Sequence, residues 1–191
     1  MLQPQQTYYT PEEYLALEET ADYRSEYFQG EIFAMSGGSA NHNRITKNML
    51  IALESDFEDK PCEAFITDMR LLVKANGFYT YPGVMVICGQ PEFVEGRDDT
   101  LTNPVVIVEV LSKSTEGYDR GAKFELYRAL STLQDYILID QHKIHVEHFH
   151  RLKDGRWILQ EFDSFEDSFT IESIDFEISL HQIYRNVNWE E

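Results

Sequence analysis

"NPVVIVEVLSKS", residues 103–114, holds one glutamate inside a β-branched run that has no packing reason to carry a charge. Val105, Val106, Ile107, Val108, Val110 and Leu111 do not alternate apolar with polar, so the run reads as a strand covered on both faces. An unpaired carboxylate buried there is costly. Glu109 therefore lies at the strand's open end, meets a cation or stays protonated, and each option points to a site rather than to packing.

A strand covered twice needs helices on both sides, and the flanking sequence supplies two. Ser39 can cap a helix in which Ile45, Met49, Ala52, Leu53 and Phe57 recur at helical spacing. A second, near Tyr118 to Leu130, sets Phe124, Tyr127 and Leu130 on one face. Thr10, Pro11, Glu12 and Glu13 are an N-cap, an N1 proline and first-turn acids, which predict a short helix from Pro11 to about Glu19. "RSEYFQGEIFAMSGG" alternates around Gln29-Gly30 as a hairpin, with Glu26 and Glu31 on its two arms. "DYILID", "KIHVEHFH" and "RWILQEF" read as strands with a turn at Asp154-Gly155. The fold class is α/β (α+β): a mixed sheet with flanking helices. With no repeat, low-complexity segment or long linker, residues 1–191 read as a single domain.

Asn76-Gly77 between apolar runs is a strong two-residue hairpin signal. Such a loop sets Ala75 opposite Phe78. Met69, Leu71 and Val73 then share a face with Thr80, Val84 and Val86, while Asp68, Arg70 and Lys74 share the other with Tyr79, Tyr81, Gly83 and Met85. Asp68 would lie diagonally across from position 83, within about 7 to 8 Å, where the two strands could share an ion.

The 191 residues carry 16 basic and 34 acidic side chains, a net charge of -18, which repels polyanions at long range. Any nucleic-acid contact has to be local, through a basic patch, divalent ions or a dimer cleft. Part of the acidic excess lies in "EFDSFEDSFTIESIDFEI", which reads as a solvated surface. Cys62 and Cys88 have no metal-ligand spacing and no disulfide framework, so two buried thiols are expected. No apolar stretch is long enough for a bilayer span, and "MLQPQQTYYTPEEY" lacks the parts of a signal peptide; a cytoplasmic protein without membrane contact is expected.

The hairpin ending "YTYPGVMVICG", the strand "NPVVIVEVLSKST" and the helix start "YDRGAKFELY" together resemble the Uma-type family of candidate endonucleases, of the PD-(D/E)XK or restriction-endonuclease-like superfamily. "YTPEEYLALEE", "SEYFQGEIFAMSGGSANHNRI" and "DTLTNPVVIVEVLS" extend the resemblance over nearly the whole chain. It implies a restriction-endonuclease-like core with extra N-terminal and C-terminal strands. It also implies hydrolysis of DNA phosphodiester bonds with Mg²⁺ or Mn²⁺, hard cations suited to carboxylate oxygens. Glu109 matches the family's strand glutamate. Leu111 stands where the simplest motif has lysine, and Lys123, on the following helix, matches the displaced lysine; Glu26 matches an N-terminal glutamate that can join the metal shell. His42 resembles a family position, with capping or packing of its helix as the plainer reading.

One residue departs from the pattern. The family reads Pro-Asp where this chain reads Pro82-Gly83, so the first metal carboxylate is missing. Either Asp68 keeps a weakened ion site beside Glu109, or the chain is a catalytically inactive nuclease-fold protein that binds or regulates. A homodimer would help to set two sites on a duplex. Plainer readings stand beside these: a structural Glu109–Lys123 salt bridge, a solvated Lys123, an exposed Glu26 and an Asp68–Arg70 pair. Four histidines within "HKIHVEHFH" suggest a metal, and on a strand His148 and His150 share a face. No third ligand is evident in the sequence, so an exposed edge or hairpin arm is the default.

Overall fold

The structure, a computed structural model, describes residues 7–189; the first six residues of the amino-terminal stretch judged for a leader lie outside it. Thr10 caps α1 (Pro11–Glu18) as predicted, its hydroxyl accepting from Glu13 N while the Glu13 carboxylate accepts from Thr10 N. β1 (Ser25–Phe28) and β2 (Glu31–Ala34) form the expected hairpin, with positive φ of 49° at Gln29 and 89° at Gly30 as a two-residue primed turn demands. Helix α2 (Ala40–Asp56) starts behind Ser39, whose Oγ accepts from His42 N, and fully buries Ile45, Met49 and Leu53. Each such side chain contributes roughly 1.5–3 kcal/mol of hydrophobic stabilisation.

β3 (Cys62–Ile66), β4 (Arg70–Val73), β5 (Phe78–Thr80) and β6 (Val84–Cys88) follow. The Asn76-Gly77 turn is present but longer than predicted: Asn76 N and Gly77 N both donate to Val73 O, and Asn76 Oδ1 accepts from Phe78 N. Val73 therefore faces Phe78, and the ladder slips by two residues, which leaves side-chain faces unchanged. The larger correction lies beyond it. At Tyr81-Pro82-Gly83 the chain leaves β4 altogether, and β6 pairs with β3 instead, so Asp68 has no diagonal relation to Gly83.

β7 (Thr100–Leu101) completes a five-stranded sheet of order β2-β1-β5-β4-β7. β8 (Val106–Leu111), β9 (Asp135–Asp140), β10 (Val146–Arg151) and β11 (Trp157–Phe162) build a second sheet, β11-β10-β9-β8-β6-β3, in which β8 and β9 run parallel. Every residue of β8 is buried. Val106, Val108 and Val110 face a core with α2, and Ile107 and Leu111 face another with Tyr127 and Tyr136. That second side is covered by α3 (Glu116–Tyr118), a π turn at Asp119–Lys123 and α4 (Phe124–Tyr127), shorter than the helix to Leu130 that periodicity suggests.

The acidic C-terminal stretch is more than solvated surface. It forms a ribbon, β12 (Ser168–Ile171) and β13 (Phe176–Ser179), followed by α5 (Leu180–Ile183); Phe169, Ile171, Phe176 and Ile178 turn into the α2 core. Cys62 and Cys88 are also corrected: they are register partners on β3 and β6 and form a disulfide, not two thiols. Sequence spacing says nothing about which strands lie side by side. No helix among the described residues is long and apolar enough to cross a membrane.

Candidate active site

Glu109 sits inside β8 with only 7% exposure, on the face turned to α3 and α4, and its charge is answered there. Lys123 Nζ lies 2.9 Å from Glu109 Oε1, which also accepts from Tyr127 OH at 2.7 Å; Gly83 N donates to Oε2 at 3.2 Å. Burial and then the Glu109 charge push the Tyr127 phenol well above its ordinary pKa, so it remains a donor. Of the three fates open to Glu109, the cation is the one realised.

The same ammonium gathers two more carboxylates. Glu26 Oε1 is 3.0 Å away and Asp119 Oδ1 3.6 Å. Burial alone would lower the Lys123 pKa, but Glu109, Glu26 and Asp119 outweigh it and hold the pKa well above the ordinary value. Glu26, on β1 and buried rather than exposed, also accepts from Thr80 Oγ1 at 2.7 Å and Tyr118 OH at 3.0 Å. Asp119 has its pKa raised to about 6, by burial first and by Glu109 second, with Lys123 pulling the other way. Three buried acids around one ammonium leave an excess of negative charge, which adds to burial in holding the Asp119 proton.

The structure thus brings together Glu109, Lys123 and Glu26 and leaves out Asp68. Asp68 lies exposed in the turn between β3 and β4, paired with Arg24 at 3.3 Å rather than with Arg70. Sequence reading missed Asp119, Tyr118 and Thr80 as members. A signal existed for Asp119: it precedes Lys123 by four residues, and Tyr127 follows by four, one helical face of acid, base and phenol. The π turn ends at Lys123, and such turns are frequent at functional sites.

The model of the Uma2 family, described as "Putative restriction endonuclease", matches residues 11–181. This chain belongs to the Uma2 family. The Uma2 chain is 45% identical over 152 residues to the uncharacterized protein sll1609 of Synechocystis sp., covering 80% of this chain and 86% of that relative. Over 180 residues it is 36% identical to slr1290 of the same organism, covering 93% and 92%. A crystal structure described as a "putative nuclease belonging to DUF820", from Anabaena variabilis, aligns with a TM-score of 0.72 at 18% identity, over 91% of this chain and 96% of that one. The Uma2 chain therefore has a nuclease-type fold, in agreement with the restriction-endonuclease-like core that its motifs imply.

In this Uma2 chain the acid cluster forms part of the wall of a cleft of about 1320 Å³. Phe33, Gly38, His42, Ser112, Thr115 and Leu126 also line it. Burial lowers the His42 pKa against the upward pull of Glu109, which favours a neutral ring. Gly83 stands where a side chain would enter the cluster: a Cβ built there lies 3.8 Å from Glu109 Oε2, though only 3.0 Å from Val108 O.

Proposed function

We propose that this Uma2 chain is a divalent-metal-dependent endonuclease that hydrolyses DNA phosphodiester bonds, with a metal site weakened by Gly83. The observation that supports it best is the Lys123 ammonium buried 2.9 Å from Glu109 beside an open cleft. A buried ion pair is weak evidence for stability and better evidence for a site.

The residues fit a hard cation. The donors are carboxylate oxygens in excess over positive charge, and Glu109 Oε2 has a single long contact from a backbone N–H. Mg²⁺ commonly takes one or two protein carboxylates and completes its shell with water and substrate phosphate. Glu109 and Asp119 would hold Mg²⁺ or Mn²⁺; exposed Asp68 would not. When bound, the ion polarises the scissile phosphate and lowers the pKa of an attacking water. Lys123 offers its ammonium to the negative charge that grows on the phosphate oxygens. Glu26, held by Thr80 and Tyr118, keeps that ammonium in place, and Tyr127 fixes the Glu109 carboxylate. With a net charge of -18, DNA would be drawn only by local contacts at the cleft.

Gly83 favours a second reading, a nuclease-fold protein that binds or regulates without cutting. Calorimetric titration with Mn²⁺ and nicking of supercoiled plasmid separate the two. On the first reading the natural chain nicks, Glu109→Gln and Lys123→Met abolish nicking, and Gly83→Asp binds the ion more tightly. Nicking by Gly83→Asp alone would sink the first reading for the natural chain and support the second. Melting curves show whether the tight approach to Val108 O is tolerated.

A further inference from the structure

The histidine cluster is buried, not an edge. β10 lies between β9 and β11, and His148 is 1% exposed. The third ligand absent from the local sequence comes from the neighbouring strand. Asp135 opens β9 as the register partner of His150, and it is completely buried. Asp135 Oδ1 lies 2.7 Å from His148 Nε2 and 2.8 Å from His150 Nδ1, and one donor atom from each of the three residues falls within 4.8 Å of the others.

Two hydrogen bonds to one carboxylate oxygen do not account for the rest of the cluster. Asp135 Oδ2 and His148 Nδ1 are buried with no hydrogen-bond partner among the described residues. Ser173 Oγ, close to Asp135, also lacks a hydrogen-bond partner among the described residues. Three unsatisfied polar atoms in one buried spot are a costly arrangement for a purely structural triad. A cation that takes both carboxylate oxygens gives the buried Asp135 Oδ2 the partner it lacks.

We propose that Asp135, His148 and His150 bind a divalent transition-metal ion of the zinc class, at a site separate from Glu109 and on the opposite face of the sheet. Two imidazole nitrogens and one carboxylate oxygen suit Zn²⁺ or Co²⁺ better than Mg²⁺, which prefers oxygen. Ligand atoms on a tetrahedral ion with bonds of about 2.0–2.2 Å stand roughly 3.3–3.5 Å apart. Each ring nitrogen needs to move about 0.5–0.8 Å away from Asp135 Oδ1, and the ring protons now facing Asp135 move to the other ring nitrogens. For His150 that nitrogen, Nε2, faces Glu172 Oε2 at 3.9 Å, the kind of outer carboxylate that orients a ligating histidine. His150 is partly exposed and gives the ion a way in. Ser173 and Glu172 belong to the turn that joins β12 to β13, so the ion would pin the C-terminal ribbon to the six-stranded sheet.

The test is calorimetry with Zn²⁺ and visible absorption with Co²⁺ on the full natural chain, on His150→Gln and Asp135→Asn, and on Glu109→Gln. The expected result is one tightly bound equivalent that is retained in Glu109→Gln, where the other divalent site is disabled, and a melting temperature raised by Zn²⁺ in both proteins. Glu172→Gln should weaken binding about 10-fold, as outer partners do, and the two ligand variants by more. Circular dichroism of the two ligand variants establishes that they are folded. Absence of saturable binding would overturn the proposal, as would unchanged affinity in a folded His150→Gln, which would mark adventitious binding at surface histidines. Loss of the site in Glu109→Gln instead would assign the ion to the other cluster and equally overturn it.

Discussion

Glu109 on β8 and Asp135 on β9 are buried carboxylates on adjacent parallel strands, but they point to opposite faces of one sheet and are neutralised differently. On the Glu109 side the chain brings its own cation, and both Glu109 oxygens have donors. On the Asp135 side two histidines face one oxygen, and among the described residues no lysine or arginine pairs with the carboxylate and the other oxygen has no hydrogen-bond partner. Burying an acid sets the same requirement in both places. A long lysine reaching from a helix meets it from within, while imidazoles converging across two strands meet it best by taking up an ion from outside.

The largest expected effect breaks the internal neutralisation. Lys123→Met leaves three carboxylates facing one another and should cost about 3–5 kcal/mol in urea unfolding. Unchanged stability would mean that the ammonium is not what balances the cluster. Reduction of Cys62–Cys88, 26 residues apart, should cost about 3 kcal/mol by freeing a closed loop. Because β3 is the sheet's outer strand, Zn²⁺ stoichiometry should survive that reduction; its loss would tie the Asp135 site to the disulfide edge.

Asp119 sharpens the comparison through pH. Its folded pKa of about 6 lies above the ordinary 3.8, so the unfolded chain gives up this proton first and stability falls as pH rises from about 4 to about 6. Asp119→Asn, which keeps the neutral form, should therefore gain about 2–3 kcal/mol at pH 7 and nothing at pH 3. Thermal melts at the two pH values check this, and an equal effect at both would remove charge excess as the cause. The smallest effect is expected from Thr80→Val, which takes one donor from Glu26 and should cost about 1–2 kcal/mol by chemical denaturation. No change would show that Lys123 and Tyr118 suffice to hold Glu26.

Much of this is legible in the sequence. The capping box at Thr10, the Gln29-Gly30 turn and the α2 face depend on neighbours in sequence, and local physics decides them. Glu109 stood out because a charge inside a doubly covered strand needs a reason. Asp68 is not legible as an outsider, because the Asn76-Gly77 ladder looks continuous through Pro82, where the chain in fact changes sheets. The third member of the histidine cluster was hidden for the same reason: Asp135 and His150 are fifteen positions apart and become neighbours only when β9 pairs with β10.

The sequence alone determined that a charge inside this strand marks a site and that helices had to cover the strand on both sides; the family resemblance singled out Lys123. Periodicity and the cost of burying charge act residue by residue, so they can be read along one dimension. Tertiary structure decided which acids share that lysine, which cysteines join and which carboxylate meets the histidines. Those outcomes depend on strand order and register, set by packing of the whole core rather than by any local preference.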